Sequence, residues 1–187
     1  MKKFTLMLTV IILAISAFAL PTFASENCDA HQDYHALGRQ QFDAGDTDSA
    51  LDTVNCGLAL DPDNYALYML RAVIYCNTDR IELAIEDMTT AIELRPDSAY
   101  AYNNRGWANY RLGNLEESMF NLNTALELDS ELAYAYNNRG LVNQALGNPN
   151  LALADYQMAI ELGLVQAWAE INLYNLEFEL ARLEIGD

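Results

Sequence analysis

Lysine is almost absent from this chain. Lys2 and Lys3 are its only lysines, and with eight arginines they set 10 basic residues against 27 acidic ones, a net charge of −17 over 187 residues. That balance excludes nucleic acid or anionic lipid as the main ligand, because phosphate binding draws its affinity from clusters of Lys and Arg. Histidine is scarce too: His31 and His35, with three residues between them, leave little material for a catalytic centre. Three cysteines cannot build the dense disulfide framework of a small secreted scaffold. The chain carries no nucleophile elbow, phosphate-binding loop, dinucleotide fingerprint or pair of carboxylates that a fold would bury together, so no enzyme activity and no cofactor is expected. What it does have is 52% hydrophobic residues, which excludes disorder by composition, and enough length for one domain of ordinary size.

The amino terminus has the pattern of an export signal. Lys2 and Lys3 form a positive start, Phe4 to Leu20 is apolar apart from Thr5, Thr9 and Ser16, and small residues follow. Cleavage after Ala24 leaves a polar mature start, SENCDA, and is preferred over cleavage after Ala19. Residues 1–24 therefore read as a signal peptide and 25–30 as a short N-terminal segment, which makes the protein exported, periplasmic or secreted, without membrane contact after cleavage. The alternative is an uncleaved helical anchor, since 17 residues sit at the lower edge of a bilayer span. The residues before Cys28, SEN, do not support lipid attachment there. Cleavage removes both lysines and leaves a mature charge of 8 − 27 = −19.

Internal repetition decides the architecture. Tyr34, Tyr68, Tyr102 and Tyr136 are spaced by 34 residues, and Gly38, Ala72, Gly106 and Gly140 keep the same period. So do Ala50, Ala84, Ser118 and Ala152; Gly57, Ala91, Ala125 and Ala159; and Leu60, Leu94, Leu128 and Leu162. The run AYAYNNRG occurs at Ala99 to Gly106 and again at Ala133 to Gly140. Within a unit, a first apolar-periodic segment such as Ala99 to Leu112 ends at Gly-Asn, and a second, Leu115 to Leu128, ends at Asp-Ser or Asp-Pro. Each unit is thus a helix hairpin. Small residues let its helices approach closely, with Gly106 near Ser118 and Ala125 admitting the next unit. Gly45, Gly113 and Gly147 suit a left-handed helix end, and Pro62 and Pro96 stop the second helix.

These columns resemble the 34-residue signature of the tetratricopeptide repeat (TPR), in the bacterial form with an NRG run. The units are His31 to Asn64, Tyr65 to Ser98, Ala99 to Leu132 and Ala133 to Gln166, and residues 167–187 read as a C-terminal capping helix. The departures are Arg71, Arg105 and Arg139 where leucine is usual, Asn109 and Asn143 where tyrosine is usual, and Leu164 in place of the closing proline. The resemblance implies an all-α, right-handed superhelical solenoid of four hairpins whose first helices line a concave groove. It further implies a protein–protein interaction module, a scaffold or adaptor, that binds a peptide or helix there. Tyr100, Asn103, Asn104, Trp107, Tyr110 and Arg111, with Tyr134, Asn137 and Asn138, would point inward; Asn offers a donor and an acceptor to a peptide backbone, and Tyr and Trp offer apolar area. The alternative is that Trp107 and Tyr110 pack between helices and the asparagines bond one another in a ladder. TPR modules that hold acidic chaperone tails carry Lys or Arg where this chain has His35, Met69, Asn103 and Asn137, so a neutral or basic partner is expected.

In residues 167–187, Trp168, Ile171, Tyr174, Phe178, Ala181 and Ile185 fall on one side of a helix and Leu173, Leu176, Leu180 and Leu183 almost opposite. One face would cap the fourth unit. The other is read as a docking face, for a homodimer or a partner, which would make the protein a self-associating component of an envelope assembly; the competing reading leaves that face partly exposed and unused. Cys28, His31 and His35 share a helix start without an evident fourth ligand, so a metal site is not expected, and Asp43, Asp46 and Asp48 read as turn and cap residues. In an oxidising compartment, Cys28 would bridge to Cys56 and leave Cys76 buried and free.

Overall fold

A computed structural model of the protein describes residues 28–29, 32–164, 172–173 and 175–176. Eight helices and no strand occur among them: α1 (Tyr34–Asp43), α2 (Thr47–Leu60), α3 (Tyr65–Asn77), α4 (Ile81–Leu94), α5 (Ala99–Leu112), α6 (Leu115–Leu128), α7 (Ala133–Ala145) and α8 (Pro149–Glu161). α5 and α6 occupy the two segments that the apolar periodicity marks as helical. Four of the eight starts are capped by short polar side chains that accept from backbone amides: Asp33 from Ala36 N, Asp46 from Ser49 N, Asn64 from Leu67 N and Ser98 from Ala101 N. α5 ends at Gly113, whose φ of 79° is left-handed and favours a residue without Cβ. In the second hairpin the same turn is made by Asp79 at φ 59°.

Consecutive helices pack as four hairpins, and each hairpin packs on the next; α1 also touches α3, and α5 touches α7, so the first helices form one row. Close approach inside each hairpin depends on matched sizes. Gly38 faces Val54, Gly106 faces Leu122, and Gly140 faces the Tyr156 ring, so that a Cβ added at any of the three would overlap its partner. In the second hairpin the corresponding pair, Ala72 and Met88, is filled by a larger residue on the first helix and a flexible one on the second, both fully buried. Ser118 fills the remaining gap in the third by donating its hydroxyl to the Gly106 carbonyl at 2.7 Å. Leu122, Ala125, Leu126, Leu132, Ala135 and Val142 then form the core between the third and fourth hairpins, against which Tyr102, Tyr110 and Tyr136 lean.

Beyond α8, Leu176 is buried with Ala152 and Tyr156, and Leu173 packs against the same group. This corrects the reading of Leu173 and Leu176 as an outward docking face. The leucines turn inward because the end of the fourth hairpin is the nearest apolar surface to cover. Leu180 and Leu183 lie outside the described residues, as do the signal segment 1–24 and the opposite face at Trp168, Ile171, Tyr174, Phe178, Ala181 and Ile185.

Candidate functional site

The row of first helices carries two adjoining cavities. One, of about 280 Å³, has an apolar floor of Ala66, Met69, Leu70 and Val73 on α3, walls of His35 and Arg39 on α1 and Tyr65, and a far rim of Tyr100 and Asn104 on α5. The other, of about 360 Å³, lies between Tyr100, Asn103, Asn104 and Trp107 on α5 and Tyr134 and Asn138 on α7. Tyr100 and Asn104 belong to both, so the cavities form one groove across the first helices of all four hairpins. In a chain with 27 acidic residues, neither cavity is lined by a single Asp or Glu. Arg39 lends little free charge, because its Nε donates to both carboxylate oxygens of Asp43 at 3.0 Å.

Rings and amides divide the work within the groove. Tyr100 and Tyr134 are 59% and 46% exposed, the open faces of the wall. Trp107 is held by Tyr110, their rings stacked 5.5 Å apart, while Tyr110 itself leans on the interhelix core. Between the rings runs a directed chain of amides: Asn138 Nδ2 donates to Asn103 Oδ1 at 3.0 Å, and Asn103 Nδ2 donates to Asn104 Oδ1 at 3.1 Å. Asn103 is buried, so its two polar atoms are satisfied by this ladder, the arrangement that competes with peptide binding as the use of the asparagines. Among the described residues the chain ends with an unused donor, Asn104 Nδ2, and an unused acceptor, Asn138 Oδ1, both on the groove. Asn137 is buried likewise and accepts from Asn172 Nδ2 at 3.2 Å, 35 residues on.

Seven of the nine residues expected along the inner wall therefore meet in or beside the second cavity: Tyr100, Asn103, Asn104, Trp107, Tyr134 and Asn138 line it, and Tyr110 backs it. Asn137 joins the ladder one hairpin further along. Arg111 goes elsewhere: its guanidinium donates to the Cys76 carbonyl and to Asp79 Oδ1, each at 2.7 Å, stapling α5 to the turn of the preceding hairpin. Asn172 was not marked from the sequence, although it stands 34 residues after Asn138 and so continues the Asn104–Asn138 column. Met69 stands at a groove position that the repeat marks, and Val73, one turn on, completes its apolar floor; a single valine on a first helix carries no signal that separates groove from core.

The departures at Arg71, Arg105 and Arg139 turn out to be the ties between hairpins. Each arginine reaches sixteen residues forward to the second helix of its own unit and sixteen back to that of the unit before: Arg71 to Asp87 and Asn55, Arg105 to Asn121 and Thr89, Arg139 to Asp155 and Asn123. Each also sits over the Tyr ring three residues earlier, 5.3–5.5 Å from its centroid. The planar fork suits three-way bonding in a way that an ammonium does not. Hydrogen bonding to Asp87 holds the Arg71 pKa above its usual value, whereas burial beside the neutral Asn121 pulls that of Arg105 down. Asn143 adds a donor to Asp155 at 2.8 Å, and Asn109 turns back to the Arg105 carbonyl at 2.9 Å, so these two departures are spent inside the fold.

Cys28 and Cys56 are joined as a disulfide with their Cα atoms 5.7 Å apart, tying the N-terminal segment to α2. Cys76 is free and half-buried, and burial pushes its thiol pKa up. Among the described residues no three His, Cys, Asp or Glu side chains gather as a metal site, and His31 lies outside them. No described helix is long and apolar enough to cross a membrane.

Stacked helix hairpins with an inner wall of exposed rings and amides define an all-α repeat solenoid, a class of scaffold for protein–protein interaction. Family models agree: residues 72–113 and 108–147 match the model described as TPR repeat, and residues 133–162 that described as tetratricopeptide repeat. Tetratricopeptide repeats therefore occupy residues 72–162 of this chain. No curated protein matches it in sequence. Among solved structures it is similar to PilW, a widely conserved type IV pilus biogenesis factor, at 26% identity and a TM-score of 0.74 over 81% of this chain and 70% of that one. MamA is similar at 25% identity and a TM-score of 0.66, covering 76% and 78%. The first TPR of Spaghetti (RPAP3), bound to the HSP90 peptide SRMEEVD, shares the fold at 24% identity and a TM-score of 0.59, over 63% and 93%.

Proposed function

We propose that this protein is an exported scaffold or adaptor that holds an extended segment of a partner protein along the groove of α3, α5 and α7. The observation that carries this reading is the groove itself, flanked by the open rings of Tyr100 and Tyr134 and lined by Asn104, with an unused donor, and Asn138, with an unused acceptor. A peptide group presents the complementary pair, and extended peptides dock through main-chain bonds of this kind. A groove without carboxylates on a strongly acidic protein favours a neutral or basic segment and disfavours the acidic tails of chaperones. Export is supported by the basic start and apolar run of residues 2–20, and a role in assembling an envelope structure by the likeness to a pilus biogenesis factor. Self-association through the C-terminal leucines is not retained, since Leu176 is buried in its own chain. A photo-cross-linking residue at Tyr100, on the groove, and another at Phe120, exposed on α6, test the reading in the producing cell. Partner adducts at position 100 and none at 120 support it; adducts at 120 alone refute it.

A further inference from the structure

The groove's two cavities differ in chemistry, and the difference specifies what would fill each. The cavity over Met69 and Val73 is floored by aliphatic side chains and is large enough for one apolar side chain, which would gain by leaving water. The second presents three aromatic residues, Tyr100, Trp107 and Tyr134, with the unused Asn138 Oδ1 among them and neither cation nor carboxylate in its lining. Aromatic faces attract a planar cation, an amide oxygen accepts from it, and the acidic surroundings concentrate cations near the opening. The protein uses the same pairing internally, where Arg71, Arg105 and Arg139 each lie over a tyrosine. Neighbouring helices lie about 8–10 Å apart, which an extended chain spans in about three residues.

We propose that the pocket of Tyr100, Trp107 and Tyr134 takes an arginine side chain of the bound segment, and that the Met69 and Val73 pocket takes an aliphatic side chain about three residues away. This rests on the reading of the groove as a peptide site. The test uses labelled Gly-Ser peptides carrying Leu and Arg at that separation, in both orders, with Arg replaced by Lys or citrulline and Leu by Ala, followed by fluorescence anisotropy at low and high salt. The Arg peptide should bind about tenfold more tightly than the citrulline peptide and several-fold more tightly than the Lys peptide, in one order at least. Leu→Ala should weaken binding by about tenfold. Tyr134→Ala should erase the Arg preference and keep the Leu preference, and Met69→Ala the reverse, with unchanged circular dichroism. Equal binding of the Arg and Lys peptides, or a preference lost in salt, overturns the arginine pocket while leaving the groove standing. No binding by any peptide overturns the proposal, and the groove falls with it only if cross-linking through position 100 fails as well.

Discussion

Replacing Gly140 by alanine tests whether the hairpins are held by matched side-chain sizes. A Cβ at this position would lie 2.6 Å from Cδ1 of the Tyr156 ring and 3.1 Å from Cζ, well inside normal contact. The ring cannot yield easily: Tyr156 is fully buried, and its hydroxyl donates to Gln144 Oε1 at 3.0 Å. Overpacking of a core costs about 1–3 kcal/mol, and alanine in mid-helix returns about 1 kcal/mol relative to glycine. For a rigid ring the upper part of that range applies, so Gly140→Ala should destabilise by about 1–2 kcal/mol. At Gly38 the nearest atom is Val54 Cγ2 at 2.9 Å, a single methyl that a small shift relieves, and the two effects should nearly cancel. Urea unfolding followed by circular dichroism measures both; a melting-point loss of about 2–4 °C per kcal/mol accompanies the first. The second hairpin supplies the rescue, since Ala72 and Met88 already coexist there. Gly140→Ala combined with Tyr156→Met should therefore show a favourable coupling of about 1 kcal/mol over the sum of the single changes. If Gly140→Ala is as well tolerated as Gly38→Ala, or the cycle shows no coupling, size matching is not what closes these hairpins.

Three other outcomes follow from the same geometry. Arg139→Ala strands the buried Asp155 carboxylate, whereas Arg105→Ala strands only the neutral Asn121, so urea unfolding should find losses of about 3 kcal/mol and about 1 kcal/mol respectively. Tyr156 has its pKa raised by burial, first, and by Tyr110 and Asp155, so the folded state keeps this proton after the unfolded state has released it. The stabilisation is complete below the unfolded value near pH 10 and is lost at about 1.4 kcal/mol per pH unit above it, and alkaline unfolding of Tyr156→Phe should lack this part of the slope. The Cys28–Cys56 bridge closes a separation of 28 residues, for which loop-closure entropy gives about 3–4 kcal/mol as a ceiling. Thermal melts should fall on adding reductant in the native protein and not in Cys28→Ser.

Much of the fold was legible because its causes are local. The 34-residue columns mark where helices face one another, Asp46 marks a helix start, and Gly113 marks an end, the last two through bonds within a few residues. The candidate groove was legible in part: Tyr100, Asn104, Trp107, Tyr134 and Asn138 share a wall because the repeat places them in equivalent positions. Arg111 was misassigned, since its partners Cys76 and Asp79 lie more than thirty residues back. Leu176 was misassigned because helical projection separates two apolar faces without saying which one meets α8.

By itself the sequence determined the period, the hairpins, the export-like start and the excess of acidic residues. Only the tertiary structure decided that the asparagines bond in a directed chain, that Arg71, Arg105 and Arg139 clamp neighbouring units, and that Leu173 and Leu176 turn inward. The physical reason is that periodicity sets each residue's angle about its own helix. Which side chain it meets on the next hairpin depends on how far and at what angle that hairpin is rotated, a quantity set by the whole packed interface.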